Sequence, residues 1–590
     1  MASETKNCQN CKKDFTIEPD DFSFYERIKV PPPTFCPECR LQRRLVWRNE
    51  RSLYKRTCEL CGEVTISMYN EESPYPVYCS KCWWSDGWDP MRYGRNYNFS
   101  RPFFEQFKDL MLRVPRVSLG HKDAVDSPYT NYIVHVKNSY LVFGGHDVED
   151  SSYVALRSHF LKDCLDVDQI HHSESCYWSM DCNKCYRVFF SQYCDGCNDS
   201  RFLFDCRNCA NCIACVGLRG KQYHILNQAY SKEDYLKKVE ELELGSWKGV
   251  QNLWEKCVQL RLKLPRRYAM ILQSANVSGD DIMGVRNCRN CFAVSNESEN
   301  CAYLWSMDRV KESHDINFSY LTEFSYEGMS TVEGQRMFFG NVAWTNHETS
   351  YVDNCHDCGN LFGCAGLRSK EYCILNKQYT KEEYEAIVPK VIKHMNDMPY
   401  KDAKDRIYKY GEFFPPELSP FAYNETIAQE YFPLTKEEAL RQGYRWREPD
   451  TKQYNITEKP ENLPDNIKDV PDSITEEVIG CAHQGTCTHQ CTTAFKITSG
   501  ELQFYRHMNL PLPRLCPNCR HHERLAQRNP LRLWYRKCQC AGIKSENGVY
   551  QNTAKHQHGT GKCLNEFETS YAPERKEIVY CEQCYNAEVI

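Results

Sequence analysis

The sequence contains no run of about 18 apolar residues, so it offers no membrane-spanning helix. Its opening, Met1 to Asn7, lacks the basic-then-apolar layout of a secretory signal, and we expect a cytoplasmic protein whose thiols stay reduced. It also lacks an excess of either charge. With 74 basic residues against 79 acidic ones, any nucleic-acid surface has to be a local patch. No Walker loop, dinucleotide fingerprint, H-E-x-x-H or G-x-S-x-G occurs, and no small-molecule substrate is evident. His171 and His172 lie near Asp166 and Asp168, which reads as a satisfied polar cluster rather than a hydrolytic site. A non-enzymatic binding protein is therefore expected; the alternatives are a protein-interaction scaffold built on the faces of the central repeats, and an enzyme with its site there.

What the sequence has in abundance is cysteine, 36 of 590 residues, much of it paired as C-x-x-C. In a long chain with no secretory signal, such pairs read as metal ligands before disulfides or free thiols. The N-terminus presents Cys8 and Cys11, Cys36 and Cys39, Cys58 and Cys61, then Cys79 and Cys82. The C-terminus repeats the series as Cys487 and Cys491, Cys516 and Cys519, Cys538 and Cys540, then Cys581 and Cys584. An offset of 480 superposes the two ends without a gap from Cys11 on Cys491 to Cys58 on Cys538, carrying Phe15, Tyr25 and Pro33 onto Phe495, Tyr505 and Pro513. The ends are an internal duplication. Two pairs complete a closed tetrahedral four-thiolate site suited to Zn2+, so about four zinc ions per chain are expected, with sequential and interleaved pairing both open. The C-terminal copy departs from the pattern: its first pair is C-x3-C and its third C-x-C. Cys481, His483 and His489 lie near the former, and an insertion after the latter carries His556, His558 and Cys563, so ligands can exchange there.

Between the pairs lie rows of arginine. The link from Arg40 to Thr57 holds seven basic residues, among them Arg40, Arg44, Arg48 and Arg56, against the single acid Glu50. Its counterpart holds Arg520, Arg524, Arg528 and Arg536. On a helix, positions 40, 44 and 48 share one face, as do 520, 524 and 528. With Trp47, Tyr54, Trp534 and Tyr535 interleaved, the rows are candidates for nucleic-acid binding, RNA ahead of DNA. The alternatives are a basic face whose arginines pair with acids elsewhere in the chain, or docking of a protein partner.

The residues Cys8-Gln-Asn-Cys11, Phe15, Phe24-Tyr25-Glu26, a proline run and Cys36-Pro-Glu-Cys39-Arg40 resemble a short bacterial family known as the "probable zinc-binding domain", a zinc ribbon with one four-cysteine site. The match spans about 40 residues at each end. The C-terminal copy keeps the aromatics but has Arg506 where the acid stands. This resemblance implies sequential pairing in the first site of each module. The whole chain also resembles large zinc-ribbon proteins of ultra-small, uncultivated bacteria, which implies an architecture rather than an activity.

The middle has a period of twelve. Ser152, Cys164, Cys176, Val188, Ser200 and Cys212 form one column; Cys182, Cys194 and Cys206 a second; Cys185, Cys197 and Cys209 a third. A second block repeats the first at an offset of 149, Cys206 to Asn227 matching Cys355 to Asn376, and each ends in a capped helix beginning at Ser231 or Thr380. Stacked short repeats mark a β-solenoid. We read the column cysteines as ladders of small buried thiols, ahead of extra zinc between rungs or an iron–sulfur cluster. The expected fold is thus mixed and mainly β: two solenoid blocks of about twelve-residue rungs, flanked by duplicated four-cysteine zinc modules, with capping and linker helices. The expected segments are an N-terminal double zinc module (1–100), a helical linker (101–135), solenoid 1 with its capping helix (136–245), a linker (246–275), solenoid 2 with its capping helix (276–395), a connector with an acidic, proline-containing tether (396–480) and a C-terminal double zinc module (481–590).

Overall fold

The computed structural model describes every residue except 1, 157, 159, 160, 449–453 and 590. It is mainly β, with twelve α-helices among the described residues and cysteine tetrads at both ends of the sequence. The chain forms two compact units, each built from separated segments: residues 1–121 with 269–448, and 122–268 with 449–590. The N-terminal cysteine module thus belongs with the second repeat block, the one farther from it in sequence, and the C-terminal module belongs with the first.

In the first unit, strands from Ile271–Leu272 to Glu371–Ile374 stack in sequence order into one parallel ladder, closed by the short antiparallel strand Lys377–Gln378. Partners in the later part lie twelve residues apart, as in Gln335 with His347, His347 with Gly359 and Gly359 with Glu371. The second unit has the same register, Tyr186 with Asn198, Asn198 with Ala210 and Ala210 with Gln222.

Each twelve-residue rung is four triplets. Cys164, Val167, Ile170, Ser173 and Cys176 are all fully buried, one residue in three. The residue before each inward position lies in the left-handed region, as at Asp166 (φ 55°), Gln169 (51°), His172 (45°) and Ser175 (55°). Single non-glycine residues in that region carry a cost that surrounding structure must offset. Here the ladder does so, because the left-handed residue's N–H returns to the previous rung (Trp178 N to Leu165 O, 3.2 Å) while the residue after the inward one donates to the next (Leu165 N to Cys176 O, 3.0 Å). That leaves the inward residue's own N–H facing the interior. A heteroatom one rung earlier accepts it: Cys164 N donates to Ser151 Oγ at 3.2 Å, Cys176 N to Cys164 Sγ at 3.3 Å, Cys185 N to Ser173 Oγ at 3.1 Å. The thiols in turn donate to main-chain carbonyls two residues back, Cys182 Sγ to Met180 O at 3.2 Å. Serine and cysteine therefore recur in the columns because they are small and also satisfy buried backbone.

Both capped helices form as expected. Ser231 Oγ accepts from Asp234 N ahead of helix Lys232–Glu241, and Thr380 and Glu383 make a full capping box ahead of Lys381–Asp397. Each lays a tyrosine on its block's last parallel strand, Tyr235 on Tyr223 and Tyr384 on Tyr372. Three expected linkers are instead core. Helix Phe103–Met111 packs Phe103 on Tyr351 and Phe362 of the second block rather than on the first. Helix Trp247–Lys263 buries Val250, Leu253 and Cys257, whose thiol donates to Phe202 O at 3.3 Å. The acidic stretch expected as a tether, apart from 449–453, which lie outside the described residues, buries Leu463, Ile467, Val470 and Ile474 in the second unit's core. Those apolar residues recur every three or four positions, and their burial outweighs the acidic composition.

Candidate metal centres and the arginine rows

At the N-terminus the ligands pair sequentially. Cys8, Cys11, Cys36 and Cys39 form one group and Cys58, Cys61, Cys79 and Cys82 another, with all ligand atoms of a group within 4.8 Å of one another. Each site joins a turn between two short antiparallel strands, Glu4–Asn7 with Asp14–Ile17 and Tyr54–Thr57 with Val64–Ser67, to the first turn of a helix, Pro37–Leu45 or Ser80–Trp84. The first cysteine also accepts a main-chain N–H from the third: Cys36 N to Cys8 Sγ at 3.3 Å and Cys79 N to Cys58 Sγ at 3.2 Å. Zn–S bonds of about 2.3 Å in a tetrahedron place sulfurs about 3.8 Å apart, and Cys11 Sγ lies 3.7 Å from Cys36 Sγ. The four-thiolate sets therefore fit zinc. Tetrads of this kind are closed and leave no position for a reacting water.

The C-terminal copy builds its tetrads from partly different residues. They are Cys481, Cys491, Cys516 and Cys519, and Cys538, Cys563, Cys581 and Cys584. Cys487 and Cys540, expected as members of the four-thiolate sites, are replaced there by Cys481 and Cys563. The reason lies in the turn. Cys516 N donates to Cys481 Sγ at 3.3 Å and Cys581 N to Cys538 Sγ at 3.2 Å, repeating the N-terminal contacts. Cys481 thus stands where Cys8 stands, and an insertion separates it from Cys491; likewise Cys538 is separated from Cys563. Sequence spacing favoured the nearer cysteine, whereas strand pairing (Ile479–Gly480 with Ala494–Phe495) chose the farther one. A fifth group, His483, Cys487, His489 and Cys519, also fits a metal.

The arginine rows do lie on helices, Pro37–Leu45 and Pro517–Leu525, but face inward. Arg40 reaches Asp315 at 2.9 Å, and Arg44 reaches Asp315 at 3.1 Å, Glu327 at 2.8 Å and Asn317 Oδ1 at 2.7 Å. Arg43 joins Glu327 at 2.7 Å and Glu412 at 2.8 Å. All three guanidiniums and Asp315 and Glu327 are at most 2% exposed. Arg48 pairs with Glu50 and lies over the Phe318 ring, and Arg56 binds Glu59 and the carbonyls of Asn70 and Tyr75. In the second unit Arg520 reaches Asp166 at 3.2 Å and lies over Tyr153, Arg524 reaches Asp166 and Asp168 at 2.7 Å each, and Arg528 reaches Asp181 at 2.9 Å. Arg536 donates to Ala572 O and Gln539. The expected phosphate-facing rows are thereby corrected: the acids of the parallel ladders take the arginines. Burial raises a carboxyl's pKa on its own, yet Arg40 and Arg44 hold Asp315 below the usual carboxylate range, and Arg524 with His521 does the same for Asp168. Asp166 and Asp168 are thus paired with arginine.

The column cysteines are buried. A cavity of about 340 Å³ in the second unit is lined by Tyr177, Trp178, Phe190, Trp247 and Trp254, together with Glu523 and the already paired Arg520. Its aromatic walls suit an apolar group, and Gln251, Arg514 and Gln527 also line it. No helix among the described residues is long and apolar enough to cross a membrane.

No family model matches this chain, and no curated protein does. Among solved structures, a "putative acetyltransferase" from Desulfovibrio desulfuricans G20 is similar over 47% of this chain and 86% of its own at 8% identity, with a TM-score of 0.11, a likeness that carries no argument.

Proposed function

We propose that the chain is a zinc-dependent, non-enzymatic interaction scaffold: two β-solenoids are its spines, and the zinc modules are clamps that lock each solenoid through buried arginine–carboxylate networks. The observation that carries this reading is the inward commitment of the arginine rows, with Arg40, Arg43 and Arg44 neutralised by Asp315, Glu327 and Glu412. Guanidiniums held this way are withdrawn from phosphate, whereas closed zinc tetrads and stacked rungs supply rigidity, which a binding platform needs. The aromatic cavity suits a partner's apolar side chain.

The test is purification of the full chain anaerobically at low salt, with metal analysis and the ratio of absorbance at 260 and 280 nm. Zinc with a clean protein spectrum, and co-purifying protein that survives nuclease, supports the scaffold. Co-purifying nucleic acid whose affinity falls steeply with salt overturns it in favour of a nucleic-acid-binding protein.

A further inference from the structure

The two C-terminal tetrads share a feature absent from the N-terminal ones. In each, the segment between the first and second ligand is enlarged, and each enlargement brings one cysteine and two histidines. Residues 482–490 carry His483, Cys487 and His489; residues 539–562 carry Cys540, His556 and His558. The corresponding N-terminal segments are the two-residue turns Gln9-Asn10 and Glu59-Leu60, with no ligand-forming side chain of either type.

Both sets converge on the last cysteine of the neighbouring tetrad. Cys487 Sγ lies 3.6 Å from Cys519 Sγ, and His483 and His489 complete that group. In the other, His558 Nε2 lies 3.3 Å from Cys584 Sγ and 3.6 Å from Cys540 Sγ, while His556 Nδ1 lies 3.4 Å from Cys540 Sγ and 3.3 Å from His558 Nε2. A tetrahedral zinc with Zn–S of about 2.3 Å and Zn–N of about 2.05 Å requires S···N near 3.5 Å and N···N near 3.3 Å. The separations match. The outward nitrogens are already oriented, His556 Nε2 against Glu588 at 2.7 Å and His558 Nδ1 against Gly561 O at 2.9 Å, the arrangement that fixes a metal-binding tautomer. In the first set, His483 Nδ1 and His489 Nδ1 are buried without a hydrogen-bond partner.

We infer that the C-terminal module holds two dinuclear zinc centres, each a four-thiolate site joined through a bridging thiolate, Cys519 or Cys584, to a second ion bound by one cysteine and two histidines. The chain then carries six ions: two mononuclear sites at the N-terminus and two pairs at the C-terminus. Charge favours the second ion. Four thiolates around one zinc leave two negative charges, whereas five thiolates around two ions leave one. Each second ion would also tie its insertion to the last cysteine of the neighbouring tetrad, beside contacts the insertion already makes, such as Tyr550 and Thr553 with Glu588. The inference rests on the zinc reading of the four-thiolate sites.

The test is native mass spectrometry and metal analysis of the full chain loaded with zinc, followed by 113Cd NMR after cadmium exchange. Six ions are expected, with two pairs of cadmium resonances coupled through a shared sulfur. H483A/H489A and H556A/H558A should each lose one ion and one coupled pair, leaving the neighbouring tetrad occupied. A folded chain with four ions, or six ions unchanged by both double variants, overturns the dinuclear centres. Fewer than four ions would instead sink the four-thiolate reading itself. Should an alanine variant misfold, the wild-type cadmium spectrum decides alone: four uncoupled resonances refute the bridges.

Discussion

Replacing Arg44 by methionine tests whether the arginine row is structure or binding surface. The residue sits in a cluster of three guanidiniums (Arg40, Arg43, Arg44) and three carboxylates (Asp315, Glu327, Glu412), buried and neutral as a whole. R44M keeps much of the side-chain volume but leaves three carboxylates facing two guanidiniums. Removing one partner of a buried ion pair costs about 3–5 kcal/mol, because the remaining charge stays desolvated. At about 1.4 kcal/mol per decade, strand amides in 314–332 that exchange through opening of this unit should speed up roughly 100- to 4,000-fold. Amides of the second unit's strands, 186–225, serve as the internal reference in the same hydrogen-exchange experiment. Adding E327Q restores neutrality while its amide oxygen can still accept from Arg43, so R44M/E327Q should recover at least half of the loss, a coupling that single substitutions cannot imitate. Exchange unchanged within threefold in R44M, together with loss of nucleic-acid binding, would refute the reasoning and restore the arginines to the surface role.

Other consequences follow from buried groups. Burial pushes the His314 imidazole down to about 4, with Asp21 and Asp315 opposing, and it stacks on Phe24 at 3.8 Å. Since its pKa falls on folding, stability is complete above about 6.5 and drains as pH drops toward 4, by up to about 3 kcal/mol; H314F should lose less between pH 7 and 5 than the native chain in thermal unfolding, and an equal loss would remove His314 from the account. Cys164 Sγ accepts the Cys176 N–H, so C164S, which keeps an acceptor, should cost about 1 kcal/mol or less, while C164A strands that N–H and costs about 1–3 kcal/mol; denaturation showing the reverse order would refute the backbone-satisfying role. Alkylation of the folded, unchelated chain should spare Cys176, Cys182, Cys194 and Cys206 until denaturant is added. Iron and a visible absorbance band in the anaerobic protein would contradict the thiol-ladder reading.

Cysteine spacing made the N-terminal tetrads legible, because C-x-x-C turns need only local geometry, and the column pattern exposed the twelve-residue register. Two things stayed hidden. The triplet inside the register carries little sequence signal: left-handed positions are filled by Asp166, Gln169, His172 and Trp178 rather than glycine, since the ladder imposes the conformation instead of the side chain inviting it. The C-terminal ligands were obscured because insertions put another cysteine near the expected spacing, and the pairing of Ile479–Gly480 with Ala494–Phe495, with the Cys516 N–H on Cys481 Sγ, reveals that Cys481 is the equivalent of Cys8. The arginines were the hardest to place. Their helical face was readable, but the acids that Arg40 and Arg524 bind lie 275 and 356 residues away, and nothing local distinguishes a guanidinium bound for a distant carboxylate from one bound for a phosphate.

That long-range pairing explains why the duplication extends beyond the cysteines. If the ends were only zinc ribbons, selection on the metal site would preserve thiolates and turns, and the arginines could drift. Yet Arg40 and Arg44 superpose on Arg520 and Arg524, and each pair meets two acids of a parallel ladder, Asp315 with Glu327 in one unit and Asp166 with Asp168 in the other. Asp166, Asp315 and Glu327 all hold the left-handed position of a triplet, whereas Asp168 does not: 315 and 327 lie one rung apart but 166 and 168 within a single rung, so the two units differ in their second acid. The cysteine tetrad adjoins the helix that presents the arginines, the arginines pair with the acids of the rungs, and on the zinc reading a change to either should be felt by both. In particular, zinc loss from Cys8, Cys11, Cys36 and Cys39 should release the helix Pro37–Leu45 and expose the Asp315 and Glu327 carboxylates, so chelation at neutral pH should open strands 314–332 as R44M does. If those strands keep their protection after the metal is removed, the clamp and the ladder are independent, and the arginine network is held by packing alone.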